Sequence, residues 1–267
     1  MKNDNRPIGI FDSGLGGLTV LKELKMILPN ESFIYFGDTA HLPYGTKSKE
    51  TIIEYSMQIC KFLINQNVKL IIVACNTASA LSIEILEKNI SIPIINVIDP
   101  CIENAIQTTT KKSIGIIGTK ATINSKAYEI KLKKINTDLK IAAKACPLFV
   151  PMIEEGLTDH TITNNICKLY LDIKEFKTID VLILGCTHYP LLMDIIKKHI
   201  SNNITIINSA NIVAIFVEKF LHEKNIRTPI ENQKYIKYFL TDQSIQFNKL
   251  ASIFLEEDLL NIEYIKL

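Results

Sequence analysis

The chain has 267 residues, enough for one large domain or two smaller ones, and its 47% hydrophobic content can fill a substantial core. A net charge of +2 and a pI near 8.1 are too weak to argue for nucleic acid, and the lysines are scattered rather than gathered into a basic run. The polar stretch 1–7 lacks a signal-peptide core and the longest apolar runs are only strand-length, so no membrane span is expected and a cytoplasmic location is.

The first apolar run, 8–11, predicts a strand that leads into Asp12-Ser13-Gly14-Leu15-Gly16-Gly17-Leu18-Thr19. This loop follows a strand and opens a helix, as a phosphate loop does. Yet the dinucleotide fingerprint wants Gly or Ala where Thr19 stands, the Gly-Lys-Ser/Thr of a nucleotide loop is absent, and Asp12 would repel a phosphate. An acid there better suits an ammonium group. After a second strand, 33–36, the segment 48–66 reads as an amphipathic helix. Ile52, Ile53, Ser56, Ile59, Cys60 and Leu63 share one face, with Ser48 placed to cap the start. Strands 70–74 and 94–97 follow, then 114–117 and 139–143. Glu154 and Glu155 come next, and by spacing alone they are an ordinary acidic helix start that does not favour either one. Strands 181–184, 204–207 and 236–240 complete the pattern.

Strands alternating with helix-length segments predict an α/β protein with mostly parallel sheets and helices on both faces. Two runs resemble each other closely. Leu70 to Ala74 delivers Cys75-Asn76-Thr77, and 111 residues later Val181 to Gly185 delivers Cys186-Thr187-His188. A second echo, Ile8-Gly9-Ile10 against Ile114-Gly115-Ile116, lies 106 residues apart. The expectation is two similar doubly wound domains related by a pseudo-twofold, with the active site in the cleft between them. The boundary falls near Asp99-Pro100, and residues 211–267 return to complete the first half. The domains are then 1–98 plus 211–267, and 99–210. Asp12, Asp38, Cys75, Thr119, Cys186 and Ser209 all follow predicted strands, where open parallel sheets bind their ligands.

The six cysteines show no Cys-x-x-Cys pair and no zinc-ligand spacing, so neither a disulfide framework nor a metal site is expected. Cys60, Cys101, Cys146 and Cys167 read as buried core residues. Cys75 and Cys186 are different, because each stands at a strand end before a helix start whose N–H groups favour a thiolate. Two acid–base thiols facing one carbon acid explain both cysteines and the repeat. A Cys–His dyad with His188, or a redox pair, would explain less.

These residues resemble the glutamate racemases of the aspartate/glutamate racemase superfamily. The matches are Ile10–Gly17, Gly37–Gly45, Ala74–Ser79, Ile117–Thr122, Cys146–Pro151 leading into Glu154–Gly156, and Leu184–Pro190, and they fade after about residue 210. The resemblance implies racemisation of L- and D-glutamate without metal or organic cofactor, for peptidoglycan synthesis, by a cytoplasmic homodimer. It implies Cys75 and Cys186 as the two bases, with Asp12 assisting the first and Glu154 with His188 assisting the second. Substrate contacts are implied at Asp12, Ser13, Tyr44, Gly45, Asn76, Thr77, Thr119, Thr122, Thr187 and His188. His41, where Arg is common, and Cys101, where Gly is usual, depart from the pattern.

Overall fold

All nine apolar runs form strands, and the central ones, 8–12, 70–73 and 181–185, are buried along their whole length, as strands covered on both faces must be. The computed structural model describes residues 4–229, 234–243, 245–255 and 262–266. In chain order the elements begin β1 (Ile8–Asp12), α1 (Leu18–Ile27), β2 (Phe33–Gly37), α2 (Lys49–Asn65), β3 (Leu70–Val73), α3 (Asn76–Asn89) and β4 (Ile94–Asn96). Next come α4 (Ile98–Thr108), β5 (Ser113–Gly118), α5 (Lys120–Asn124), α6 (Ala127–Ile135), β6 (Lys140–Ala145), α7 (Phe149–Glu154) and α8 (Thr161–Leu171). The last are β7 (Val181–Gly185), α9 (Met193–Lys198), β8 (Thr205–Asn208), α10 (Ser209–Glu223), β9 (Ile236–Leu240), α11 (Ile245–Leu255) and β10 (Ile262–Tyr264). The sequence did not announce β10, whose three residues carry no buried apolar run.

The strands make two parallel sheets, ordered β10-β9-β2-β1-β3-β4 and β6-β5-β7-β8. The four strands β2-β1-β3-β4 have the same order as β6-β5-β7-β8. The sequence offsets of 106 and 111 residues carry the paired residues Ile8 and Leu70 onto the paired residues Ile114 and Val181. The repeat is therefore one of strand register as well as of motif. The returning chain adds β9 and β10 to the edge of the first sheet, while α10 packs against both α1 and α4.

Alternation along the strands assigns each sheet two faces. Ile8, Ile10, Leu70 and Ile72 of the first sheet share a core with Leu182 and Leu184 of the second, filled by α1, α10 and α11. The opposite faces, such as Phe11, Ile71 and Val73, or Ile114, Ile116 and Ile183, belong to separate cores. On α2 the expected face is present: Ile52, Ser56, Ile59, Cys60 and Leu63 are buried, and Ser48 Oγ accepts the Thr51 N–H at 3.2 Å. Ile53 is only half-buried, at the edge of that face.

One buried charge pair ties distant segments of the chain together. Lys69 Nζ lies 2.6 Å from Glu31 Oε2 and donates to the carbonyls of Asp4 and Ile226, each at 2.8 Å. Glu31 also accepts the Thr228 N–H and hydroxyl. Burial pushes the Lys69 pKa down, and the contacts with Glu31 hold the charge against it. We expect Lys69→Met to leave the Glu31 carboxylate buried and unpaired, lowering unfolding stability by about 3–5 kcal/mol in urea titrations. The double variant Lys69→Met/Glu31→Gln should recover much of that loss. A loss under about 1 kcal/mol for the single variant would contradict this reading of the pair.

Candidate active site

Because both sheets are parallel, the carboxyl ends of β1, β3, β5 and β7 point their loops into one place. Those loops surround a cavity of about 250 Å³. Ser13 and Cys75 come from the first sheet, and Thr119, Cys186, Thr187 and His188 from the second. All six cysteines are free and buried, and Cys75 and Cys186 are each 5% exposed.

Cys75 is the N-cap of α3, where its Sγ accepts the Ala78 N–H at 3.5 Å and its thiol donates to Ser13 Oγ at 3.7 Å. The Ala78 N–H, and the Ser13 hydroxyl once it turns to donate, favour a thiolate, as expected of a helix start. Burial, reinforced by the charge of Asp12, outweighs them and pushes the thiol up to about 12. Asp12 itself is fully buried behind the cavity wall. Its carboxylate accepts the Gly14 N–H at 2.8 Å and faces the Thr187 hydroxyl at 3.4 Å. Burial raises its pKa, although the His188 charge and these donors pull it back. Asp12 reaches Cys75 through its field and does not line the cavity, so the expected substrate contact there is not what the structure displays.

The Cys186 side is built differently from the Cys75 side. The expected helix start is a turn followed by a short 3₁₀ segment, Tyr189–Leu192, with Pro190 in its first turn, so Cys186 caps no α-helix. The sulfur has a side-chain partner instead: His188 Nδ1 lies 3.8 Å from Cys186 Sγ, and His188 Nε2 lies 3.2 Å from Glu154 Oε1. Burial opposes a charge on the imidazole, but the contacts with Cys186 and Glu154 prevail and raise its pKa to about 10. A cationic donor beside a sulfur is the setting in which a thiolate forms most readily. Glu154, which spacing could not separate from Glu155, is the acid that reaches the site, while Glu155 lies exposed at the end of α7.

Close approach around this group requires Gly16. A Cβ there would overlap the Thr187 hydroxyl and stand 2.5 Å from His188 Nδ1. From the far end of the chain, Phe254 of α11 meets the His188 ring edge to face at 5.5 Å.

The remaining implied contacts divide into those in the wall and those behind it. Thr77, Thr119 and Thr122 form a hydroxyl triangle with edges of 3.0, 3.0 and 3.4 Å. Thr77 and Thr119 line the cavity, and Thr122 supports them from behind. Asn76 donates to the Tyr128 hydroxyl at 2.9 Å, and its Oδ1 is buried with no partner among the described residues. Tyr44 and Gly45 are in the wall, but the Tyr44 hydroxyl is committed elsewhere, donating to Asp38 Oδ2 at 2.6 Å. Asp38 also engages His41 Nδ1 at 2.8 Å and the Thr241 hydroxyl at 2.8 Å. It organises the 38–46 loop from outside the cavity, and His41 is further held by stacking on Tyr55. Ser209 begins α10 and is not in the wall. Cys101 is buried in the core beneath α4. Sequence reasoning assigned no role to Lys120 or Phe254 and only a core role to Cys146, yet Lys120 and Cys146 line the cavity and Phe254 meets His188. Lys120 and Cys146 lie within quoted motifs and carry no spacing signal, and Phe254 arrives only through the fold. Among the described residues no group of three or more His, Cys, Asp or Glu side chains is arranged to hold a metal ion.

With this geometry in view, the likenesses to known proteins are extensive. The sequence model of the Asp/Glu/hydantoin racemase family matches residues 8–216. The glutamate racemase of Geobacter metallireducens is 44% identical over 250 residues, covering 94% of this chain and 93% of that protein. That of Sulfurihydrogenibium sp. is 48% identical over 248 residues, covering 92% and 93%. The crystal structure of glutamate racemase from Francisella tularensis, in complex with D-glutamate, superposes with a TM-score of 0.92 at 40% identity and covers 98% of both chains. Paired strands bearing paired thiols, and family likeness along most of the length, lead to one assignment: this chain belongs to the Asp/Glu/hydantoin racemase family.

Proposed function

We propose that this protein interconverts L- and D-glutamate by a two-thiol, two-base mechanism. The observation that carries the reading is the pair of buried sulfurs, Cys75 and Cys186, that equivalent strands of the two sheets bring to one cavity. One thiolate takes the Cα proton, forming S–H as C–H breaks, and the electron pair is left on the substrate. The opposite thiol then gives its proton to the other face of that carbon. The product is the mirror image, and the two sulfurs have exchanged protonation states. By the family resemblance Cys186 takes the proton from L-glutamate and Cys75 from D-glutamate.

The neighbouring residues suit the steps. A charged His188, held by Glu154, stabilises negative charge at Cys186. Asn76 Oδ1 offers an acceptor to the ammonium group. Hydroxyls of Ser13, Thr77, Thr119 and Thr187 line the cavity and can meet the carboxylates where they turn from their present partners. No described helix is long and apolar enough to cross a membrane. The roles the resemblance implies, supply of D-glutamate to peptidoglycan by a cytoplasmic homodimer, form part of the proposal.

A second reading has one observation behind it. Cys186, His188 and Glu154 form a chain of nucleophile, base and orienting acid, as in a thiol hydrolase. That reading leaves Cys75 without a role.

Incubation with L-glutamate in D₂O separates the two. Racemisation yields D-glutamate carrying one deuterium at Cα, and Cys75→Ser or Cys186→Ser should each lower the rate by about 10³-fold or more. Full activity in either variant excludes the two-base mechanism, and a Cys75→Ser protein that still hydrolyses thioesters would favour the second reading. A pH profile tests the electrostatics. Cys75 must lose a proton held up near 12, so kcat/KM for D-glutamate should climb by up to about tenfold per unit between pH 7 and 9. His188 stays protonated through that range because its pKa lies near 10, so it should contribute no limb near its ordinary value of 6.5. A flat profile would contradict this account of Cys75. Finally, Glu154→Gln should cut kcat by about tenfold or more, and Glu155→Gln should stay within about twofold of wild type. Equal effects would remove Glu154 from the mechanism.

A further inference from the structure

The wall of the cavity contains three charged side chains: His188, Glu154 and Lys120. The first two are paired with each other at 3.2 Å. Lys120 is exposed at the first position of α5 and makes no side-chain hydrogen bond or ion pair among the described residues. It is thus the unengaged cation at the mouth of the cavity.

The corner beneath it is the Thr77–Thr119–Thr122 hydroxyl triangle, closed on its other side by Gly45, where an added Cβ would stand 3.0 Å from Thr119 Cβ. Three hydroxyls supply three protons, and the three contacts between them can consume as many. The triangle is therefore a weak donor to an anion unless one hydroxyl turns outward. The deeper groups add no net positive charge. Asp12 sits behind Ser13, Glu154 offsets His188, and one of the two thiols carries a negative charge in the working enzyme. An amino acid with an acidic side chain has two carboxylates to place in such a cavity. Hydroxyls alone do not separate it from its neutral amide, since they bond either.

We propose that Lys120 makes this cavity selective for an acidic side chain, its ammonium group closing over the distal carboxylate where Thr77 and Thr119 receive it. This rests on the glutamate reading above. The role is one of binding: Lys120 engages an atom distant from Cα and takes no part in proton transfer. Removing it acts on affinity, and the effect weakens as salt screens the charge.

The test compares Lys120→Met, Lys120→Glu and Lys120→Arg with wild type, by kinetics and by calorimetric titration with L-glutamate. At low ionic strength Lys120→Met should raise KM and Kd about five- to tenfold with kcat within about twofold, Lys120→Glu should raise them further, and Lys120→Arg should restore them. The difference between wild type and Lys120→Met should shrink in about 0.5 M salt. Competitive inhibition by L-glutamine, whose side chain is neutral, should not change. Unaltered KM and Kd in Lys120→Met, or equal weakening of glutamate and glutamine, overturns the assignment. Binding that depends on Lys120 in a protein that never racemises glutamate would leave this proposal standing and overturn the proposed reaction. A wild-type protein that neither binds nor turns over glutamate would overturn both.

Discussion

Everything at the site depends on the shared core between the two sheets. The two sulfurs belong to different sheets, so no local loop fixes their separation. It is fixed by side chains such as Ile10, Ile72 and Leu184, packed through α1 and α10 into one apolar cluster. Interiors of this kind are close-packed and resist small displacements. The proposed proton transfer, with a carbon held between two sulfurs, needs that stiffness, because a shift of an ångström at either wall spoils the geometry. The position of Gly16 shows the same demand at short range, since the loop carrying it must run against Thr187 and His188 without a side chain between them.

The two walls solve one electrostatic problem in different ways. Cys75 is surrounded by neutral groups, the Ala78 N–H and the Ser13 hydroxyl, with Asp12 close enough to oppose its ionisation. Cys186 has an imidazole drawn into its charged form by a carboxylate. The repeat is thus close in backbone register and loose in chemistry. Equivalent strands deliver the thiols, and unrelated loops supply what surrounds them.

How far this was legible in the sequence follows from the range of each interaction. Strand positions were readable because a strand buried on both faces must be apolar along its length, as in 70–73 and 181–185. Cys75, Cys186 and His188 were readable because they lie within a few residues of a strand end. Spacing could not choose Glu154 over Glu155, since the contact with His188 spans 34 residues; only the family resemblance pointed to it. The helix expected after Cys186 is a turn and a short 3₁₀ segment instead, and Pro190, which suits either start, gave no sign of the difference. Asp12 reads as a substrate ligand from its place after β1, but the chain folds Gly14 back over its carboxylate. Lys69 offered no signal at all. A lysine before a strand looks solvated until Glu31 and the carbonyls of Asp4 and Ile226 are brought around it.

The bond from Thr241 to Asp38 has a consequence for how the protein is made. Tyr44, in the cavity wall, is anchored on Asp38, and Asp38 is anchored in turn on a residue that follows the strand Ile236–Leu240. Phe254, against His188, is later still. Domains tend to fold as units as the chain leaves the ribosome, beginning at the N-terminus. Here both cysteines emerge well before the segments that brace the loop and the imidazole beside them. A nascent chain stalled before residue 236 would carry Cys75 and Cys186 without the braces that shape their cavity, and only the arrival of the later segments lets the finished pocket form.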